Sequence, residues 1–155
     1  MIDPDDDALR ALETQLLAMP PVRALQVRVV GCLDGRLRLA APLAANVNDK
    51  GTAFGGSLVS LMTLAAWGLV TLRLQQAGVP AEVYVADTDV RYRAPLLADL
   101  HAEAWLADGE DWASFLDTLR GRGRARARLL SQVLLPDGGV ATEASARYAA
   151  IRKPG

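Results

Sequence analysis

From Thr52 to Leu72 the chain carries no charged residue. On length alone such a run can cross a membrane. Gly55, Gly56, Ser57, Ser60, Thr63 and Gly68 interrupt it, and its strongly apolar part starts only at Leu58. The flanking chain reads as ordinary strands, so a buried core helix is the expectation, from Gly56 to about Gln76. A helix apolar on nearly every side must be wrapped by other elements. Gly78-Val79-Pro80 terminates it.

The segment that feeds this helix is Asn46-Val47-Asn48-Asp49-Lys50-Gly51-Thr52-Ala53-Phe54-Gly55-Gly56-Ser57. Gly55-Gly56 lets a second group approach the backbone closely. Ser57 is expected to be the N-cap. The first turn leaves N–H groups free, with about half a positive charge, as a site for an anion or a developing oxyanion. Ser57, Ser60, Thr63, Trp67 and Thr71 fall within about one-third of the helix circumference, at roughly 100° per residue. Leu64 interrupts that stripe. Either the hydroxyls bond back to the helix carbonyls, or Ser60 and Thr63 line a substrate site beside the loop.

The remaining chain supplies the wrapping. Leu9, Leu12, Leu16 and Leu17 mark an N-terminal helix within residues 1–20, which packs on the domain edge and is ended by Pro20-Pro21. Leu25 to Val30 and Arg36 to Ala40 are expected strands joined by Leu33-Asp34-Gly35. Glu82 to Arg93 is the longest expected strand. Tyr84, Ala86, Thr88, Val90 and Tyr92 share one face; Asp87, Asp89, Arg91 and Arg93 share the other. Leu100 to Leu106 is another strand. Trp112 to Leu119 suits a short helix or a strand. Arginine occupies positions 120, 122, 124, 126 and 128. Read as one strand, this puts five guanidinium groups on one face, either solvated or holding phosphates of an anionic ligand. Val140 to Ile151 closes the chain. The expected class is α+β: a curled antiparallel sheet of about six strands around one long central helix, in a single domain of 155 residues.

Formal net charge is −1 and hydrophobic residues make up 51%. That composition excludes a disordered chain and a polybasic nucleic-acid binder. Cys32 is the sole cysteine, so no internal disulfide forms, and one His with one Cys makes no zinc site. The acidic start Ile2-Asp3-Pro4-Asp5-Asp6-Asp7 is the opposite of a basic signal-peptide start, and a cytoplasmic location is expected. No cofactor, membrane or nucleic-acid partner is expected.

Strand pair, glycine loop, long helix and further strands resemble the hot-dog fold, and the residues resemble its acyl-CoA thioesterases. Asn48 to Gly56 looks like the Asn-x-x-Gly-x-x-His-Gly-Gly signature of the PaaI-like branch. Asn46 to Ser57 is closer still to the thioesterase-like domain at the C-terminus of YiiD-type proteins. The likeness covers nearly the whole chain after Pro21. It implies that Asn48 helps place the thioester or the attacking water, and that the Gly55 N–H polarises the thioester carbonyl. Phe54 stands where the branch has histidine. Thr63 stands where it has the catalytic aspartate, and no carboxylate occurs from Gly51 to Gly78. The resemblance also implies a homodimer, or a homotetramer as a dimer of dimers, with third strands meeting and sites at the interface.

Hydrolysis of an acyl-CoA or acyl-carrier-protein thioester needs oxyanion donors, here Gly55 and Gly56. It also needs a group that aligns or deprotonates water. Asp49 and Asp87 are the candidate carboxylates, with Thr63 as an orienting hydroxyl. Phe54, Ser57, Ser60, Thr88, Arg91 and Arg93 are candidate substrate contacts. Asp49 has an alternative role in Asx-turn bonds of its own loop; Asp87 has one in a salt bridge with Arg91 or Arg93. A non-catalytic acyl-CoA or lipid-binding module is the alternative function. A dehydratase needs a histidine by the loop, and Phe54 stands against it.

Overall fold

The computed structural model describes residues 2–154. The elements run α1 (Asp6–Leu17), α2 (Pro20–Leu25), β1 (Arg28–Leu33), β2 (Arg36–Ala41), α3 (Gly55–Ala77), β3 (Ala81–Tyr92), β4 (Leu100–Leu106), α4 (Trp112–Arg122), β5 (Arg124–Leu134) and β6 (Val140–Arg152). The six strands form one antiparallel sheet in the order β1-β2-β4-β5-β6-β3. This is the expected α+β, hot-dog-like arrangement of a long helix on a six-stranded sheet.

α3 packs on β2, β3, β4, β5 and β6. Leu58, Leu61, Met62, Ala65, Ala66, Leu69, Val70 and Leu72 are buried in that contact. The strands answer with alternating small and branched residues, such as Ala125, Ala127, Leu129 and Val133 on β5. By length and composition α3 would suffice to cross a membrane, yet 72% of its apolar window is buried against the fold. Gly78 ends it in the left-handed conformation, with φ 67°.

Four details differ from the expectations. Pro20-Pro21 ends one helix and also opens the next, because proline is tolerated in a first helical turn. The first strand therefore starts at Arg28, after Gln26 caps α2 with φ 58°. Trp112 to Leu119 resolves as helix, capped by the Asp111 carboxylate on the Ser114 amide. Gly123, with φ 78°, ends that helix. Arg120 and Arg122 thus lie on α4, and only Arg124, Arg126 and Arg128 share the outer strand face, between buried Ala125, Ala127 and Leu129.

The fourth difference is a bulge in β3. Val85 opposes Tyr148 and the next aligned pair is Asp87 with Arg147. The extra residue, Ala86, reverses the alternation. Val83, Val85, Thr88, Val90 and Tyr92 share the face of buried Tyr148, Ala146 and Ala144, since directly opposed residues point the same way. Tyr84 falls on the outer face and donates its hydroxyl to Glu82.

Arg73 is the largest fully buried side chain, 2% exposed, on the far half of α3. Its guanidinium donates to the Ile2 carbonyl and to Gln76 Oε1, each at 2.9 Å. It lies 6.0 Å from the Trp112 ring, its Nε has no partner, and no carboxylate pairs with it among the described residues. Burying a charge without a counter-ion is unfavourable. Arg73→Met keeps an apolar stem of similar length. It is expected to raise the unfolding free energy by about 1 kcal/mol. Urea denaturation measures this, and a lower midpoint would show that the two hydrogen bonds outweigh the desolvation.

Candidate active site

The loop before α3 is held by side-chain amides. Asn46 is 3% exposed and donates Nδ2 to the Leu25 and Pro42 carbonyls at 3.0 and 2.8 Å. Its backbone carbonyl accepts the Phe54 N–H at 2.7 Å, and the Ala53 N–H donates to Leu96 at 2.9 Å. Asn48 closes the turn. Its Oδ1 accepts the Lys50 and Thr52 amides at 2.8 and 3.0 Å, and its Nδ2 donates to Thr52 Oγ1 at 2.9 Å. Gly51 supplies the positive φ, 82°, that this turn requires. Asn48 therefore spends its amide on shaping the loop.

That loop aims the start of α3. Phe54, in extended conformation, is the N-cap and gives no side-chain bond. Ser57 is not the cap: it lies in the first turn and is buried, with 7% exposure. The cap sits three residues earlier, at Phe54, because both glycines adopt helical geometry. The first intrahelical bond runs from the Leu58 amide to the Phe54 carbonyl at 3.1 Å. The amides of Gly55, Gly56 and Ser57 consequently take no protein acceptor among the described residues.

Two aromatic rings flank these amides. The Phe54 ring lies so close over Gly56 that a Cβ there would meet its Cε2 at 2.6 Å. The Tyr92 ring lies over Gly55, where a Cβ would meet it at 3.4 Å. The Tyr92 hydroxyl donates to the Gly55 carbonyl at 3.2 Å. Phe54 is 55% and Tyr92 59% exposed, so the mouth is open to solvent in the single chain. Tyr92 is the residue that the sequence reading left out of the site. Its strand position, on one face with Thr88 and Val90, was the available signal.

The other candidates divide. Ser60 and Thr63 are half-buried on α3, and their hydroxyls make no hydrogen bond among the described residues. They therefore do not bond back to the helix. Thr63 stands seven residues, about 10 Å, along the axis from Gly56. Thr88 is exposed on the helix-facing side of β3. Asp49 is exposed and pairs with Lys50 at 2.8 Å. Asp87, Arg91 and Arg93 belong to the outer face and are not brought to the mouth. Asp87 pairs with Arg147, not with Arg91 or Arg93, and that guanidinium holds its carboxyl below the usual carboxylate range. Arg93 pairs with Glu143 at 2.5 Å and lowers that carboxyl in the same way.

A long apolar helix opened by paired glycines, on a six-stranded sheet, matches one known family across residues 9–152: the family described as "Putative thioesterase (yiiD_Cterm)". The chain belongs to this family. A Shewanella oneidensis protein, described as a putative thioesterase, is 30% identical, with TM-score 0.85 over 95% of this chain and 99% of its own. A Chlorobaculum tepidum protein of unknown function is 27% identical, with TM-score 0.89 over 97% and 98%. A Pseudomonas aeruginosa protein, described as a probable thioesterase, is 25% identical, with TM-score 0.79 over 99% of each chain. This member of the family carries Phe54 directly before the double glycine and Thr63 seven residues after it.

Beneath the hydroxyl stripe lies Tyr148, 1% exposed, whose phenol donates to the Thr63 carbonyl at 3.4 Å. Burial pushes this phenol up to about 12, above its ordinary 10.0. A raised folded-state value keeps its stabilising contribution intact below pH 10 and removes it as pH climbs from there toward 12. The loss amounts to about 2–3 kcal/mol at full conversion. Tyr148→Phe is expected to flatten the alkaline limb of the stability profile over that window. Thermal unfolding against pH measures it, and an unchanged limb would contradict it.

Proposed function

We propose that this chain is a thioester hydrolase that cleaves acyl-CoA or acyl-carrier-protein thioesters with water. The observation that carries the reading is the row of acceptor-free amides at Gly55, Gly56 and Ser57, at the positive end of a 23-residue helix. A thioester carbonyl seated there has its developing oxyanion stabilised by the Gly55 and Gly56 N–H groups and by the helix dipole. Water adds to the carbonyl carbon, the C–S bond breaks, and the thiolate leaves. Asn48 contributes by holding the loop, Phe54 and Tyr92 by walling the carbonyl. The hydroxyls of Ser60 and Thr63 are free to orient substrate along α3. Proton acceptance falls to Asp49, the carboxylate of the loop itself, held only by the exposed Lys50; Asp87 lies on the outer face, and Arg147 makes it a weak base at neutral pH.

A thiol-release assay over a panel of acyl-CoA and acyl-carrier-protein substrates tests this. Gly56→Ala is expected to lower kcat at least tenfold by driving the Phe54 ring across the amides. Phe54→Ala in the same chain should return part of that loss, and Asp49→Asn should lose activity alone. Turnover unaffected by Gly56→Ala and Asp49→Asn would remove the assigned site. The second reading, an acyl-CoA-binding module without catalysis, is favoured by the missing carboxylate between Gly51 and Gly78. It predicts thermal stabilisation by CoA thioesters with no thiol released.

We also infer a homodimer. β3 is a 12-residue edge strand, paired with β6 on one side only and exposed along most of its length. Val85 and Tyr92 lie 46% and 59% exposed on it. An edge this long, open along its whole length and carrying exposed Val85 and Tyr92, can pair with another strand, here the same strand of a second copy, with a homotetramer as the next level. The buried free thiol of Cys32 suits the cytoplasm. Val85→Lys is expected to shift the species measured by analytical ultracentrifugation to monomer while leaving helical circular dichroism intact. A monomeric wild type would sink the inference.

A further inference from the structure

At the end of the sheet remote from the glycine mouth, the outer face carries a groove of about 470 Å³ lined by Thr118, Arg122, Arg124, Arg126, Ala149 and Ile151, with Ala125 behind. Its floor is the β5–β6 pair: Arg124 lies opposite Ile151, and Arg126 opposite Ala149. Its wall is α4. β4 ends beside Leu129, so nothing further along β5 displaces that helix. Arg122 points into the groove from the last turn of α4, and Gly123 turns the chain so that Arg124 follows from the strand.

None of these three guanidinium groups forms an ion pair or a side-chain hydrogen bond among the described residues. Arg23, Arg28 and Arg91 are likewise unpaired but scattered over α2, β1 and β3, whereas these three line one groove. Arg36 and Arg38 hold Glu103, Arg93 holds Glu143, and Arg147 holds Asp87. Arg120 and Arg152, beside the groove, are tied to the Ala77 and Arg120 carbonyls and add positive potential. The carboxylates near its far rim are committed elsewhere: Glu110 accepts the Arg128 amide, and Asp111 caps Ser114. Three forked donors converging without acidic partners suit phosphate oxygens. An apolar strip of Ile151 (42% exposed) and Ala149 alongside suits a flat ring rather than a bare ion.

We propose that this groove binds a nucleotide carrying at least two phosphates: Arg122, Arg124 and Arg126 hold the phosphates, and the base lies on Ile151 and Ala149. The groove is a second site. Ile151 pairs with Glu82 at the start of β3. Tyr92, which roofs the mouth, is ten residues further along that strand, about 30 Å away. The proposal stands whether or not the chain hydrolyses thioesters. The concave shape favours a small ligand over an acidic protein surface or an anionic membrane.

Isothermal titration of the full-length protein with ADP, inorganic pyrophosphate, adenosine and CoA tests it, using Arg124→Ala/Arg126→Ala and, as control, Arg28→Ala. Unchanged melting temperatures check that both variants fold. ADP binding weakened at least tenfold in the double variant and not in the control, with pyrophosphate weaker and adenosine silent, is the expected result. CoA bound in the same groove as tightly as ADP would identify the nucleotide end of an acyl-CoA as the source; CoA bound more weakly would identify a free nucleotide. Pyrophosphate binding as tightly as ADP, ADP binding indifferent to the double variant, or no ADP binding at all would each overturn the proposal. So would capture of phosphatidylglycerol vesicles without ADP binding. Hydrolysis of an acyl-pantetheine, which has no nucleotide, reads the glycine mouth alone and should be equal in wild type and double variant.

Discussion

A helix of 23 residues with apolar side chains all round has to be covered, and most of this fold follows from that. Helices alone would need several long partners; this chain has only short ones. A sheet can cover the same helix with small residues at alternate positions, and β5 and β6 do so with alanines at 125, 127, 144, 146 and 150. The small strand residues let α3 sit close to the sheet. Toward β2 and α1, Gly68 lets Leu37 and Leu12 approach: a Cβ there would meet Leu37 Cδ2 at 2.9 Å. Coverage stops where α3 starts, and there the chain places two glycines and leaves three amides unpaired. The fold's central constraint and its candidate chemistry are therefore two ends of one element.

The parts of the fold that were legible in sequence rest on long or unambiguous signals. The Asp34-Gly35 hairpin and the Gly78 stop each have one physical meaning, and the glycines and hydroxyls that interrupt the apolar run decide it for a core helix. The misreadings come from patterns that two geometries share. Alternating arginines look alike on either side of Gly123. In a helix, though, residues two apart point about 200° from each other. Arg120 accordingly turns toward Ala77 and Arg122 toward the groove. Strict alternation in β3 also hid its bulge, which no residue type between Val85 and Asp87 announces. The loop's residues were legible as a site, but not the division of labour within it. Only hydrogen-bond partners reveal that Asn48 is spent on Lys50 and Thr52, and that Tyr92 covers Gly55.

The charge pattern separates structural from available groups. On the outer sheet face Glu103 is clamped by Arg36, Arg38 and Gln132, and Arg36 stacks 3.9 Å from the Trp105 ring. A carboxylate 7% exposed needs such hydrogen-bond donors to offset its lost hydration. Asp87 and Glu143 are neutralised similarly. These ion pairs hold the face together and leave neither partner free for chemistry. By contrast, two sets of unpaired donors lie close together, the amides of the α3 mouth and the arginines beside α4.

The mouth has donors for an oxyanion, while its lining is only half shielded. Amide dipoles act strongly where water is excluded and weakly where it competes. Phe54 and Tyr92 cover Gly56 and Gly55 from one side, and each ring still exposes more than half its surface. Tyr92 belongs to β3, the strand at one edge of the sheet and the one proposed to pair with a second copy. Pairing along that edge would bury the ring and dry the amides in one event. On this view assembly and catalytic strength are linked through a single strand. The absence of a carboxylate at Thr63 then matters less, because a desolvated helix start can supply the larger share of transition-state stabilisation, and a loop carboxylate has only to receive a proton.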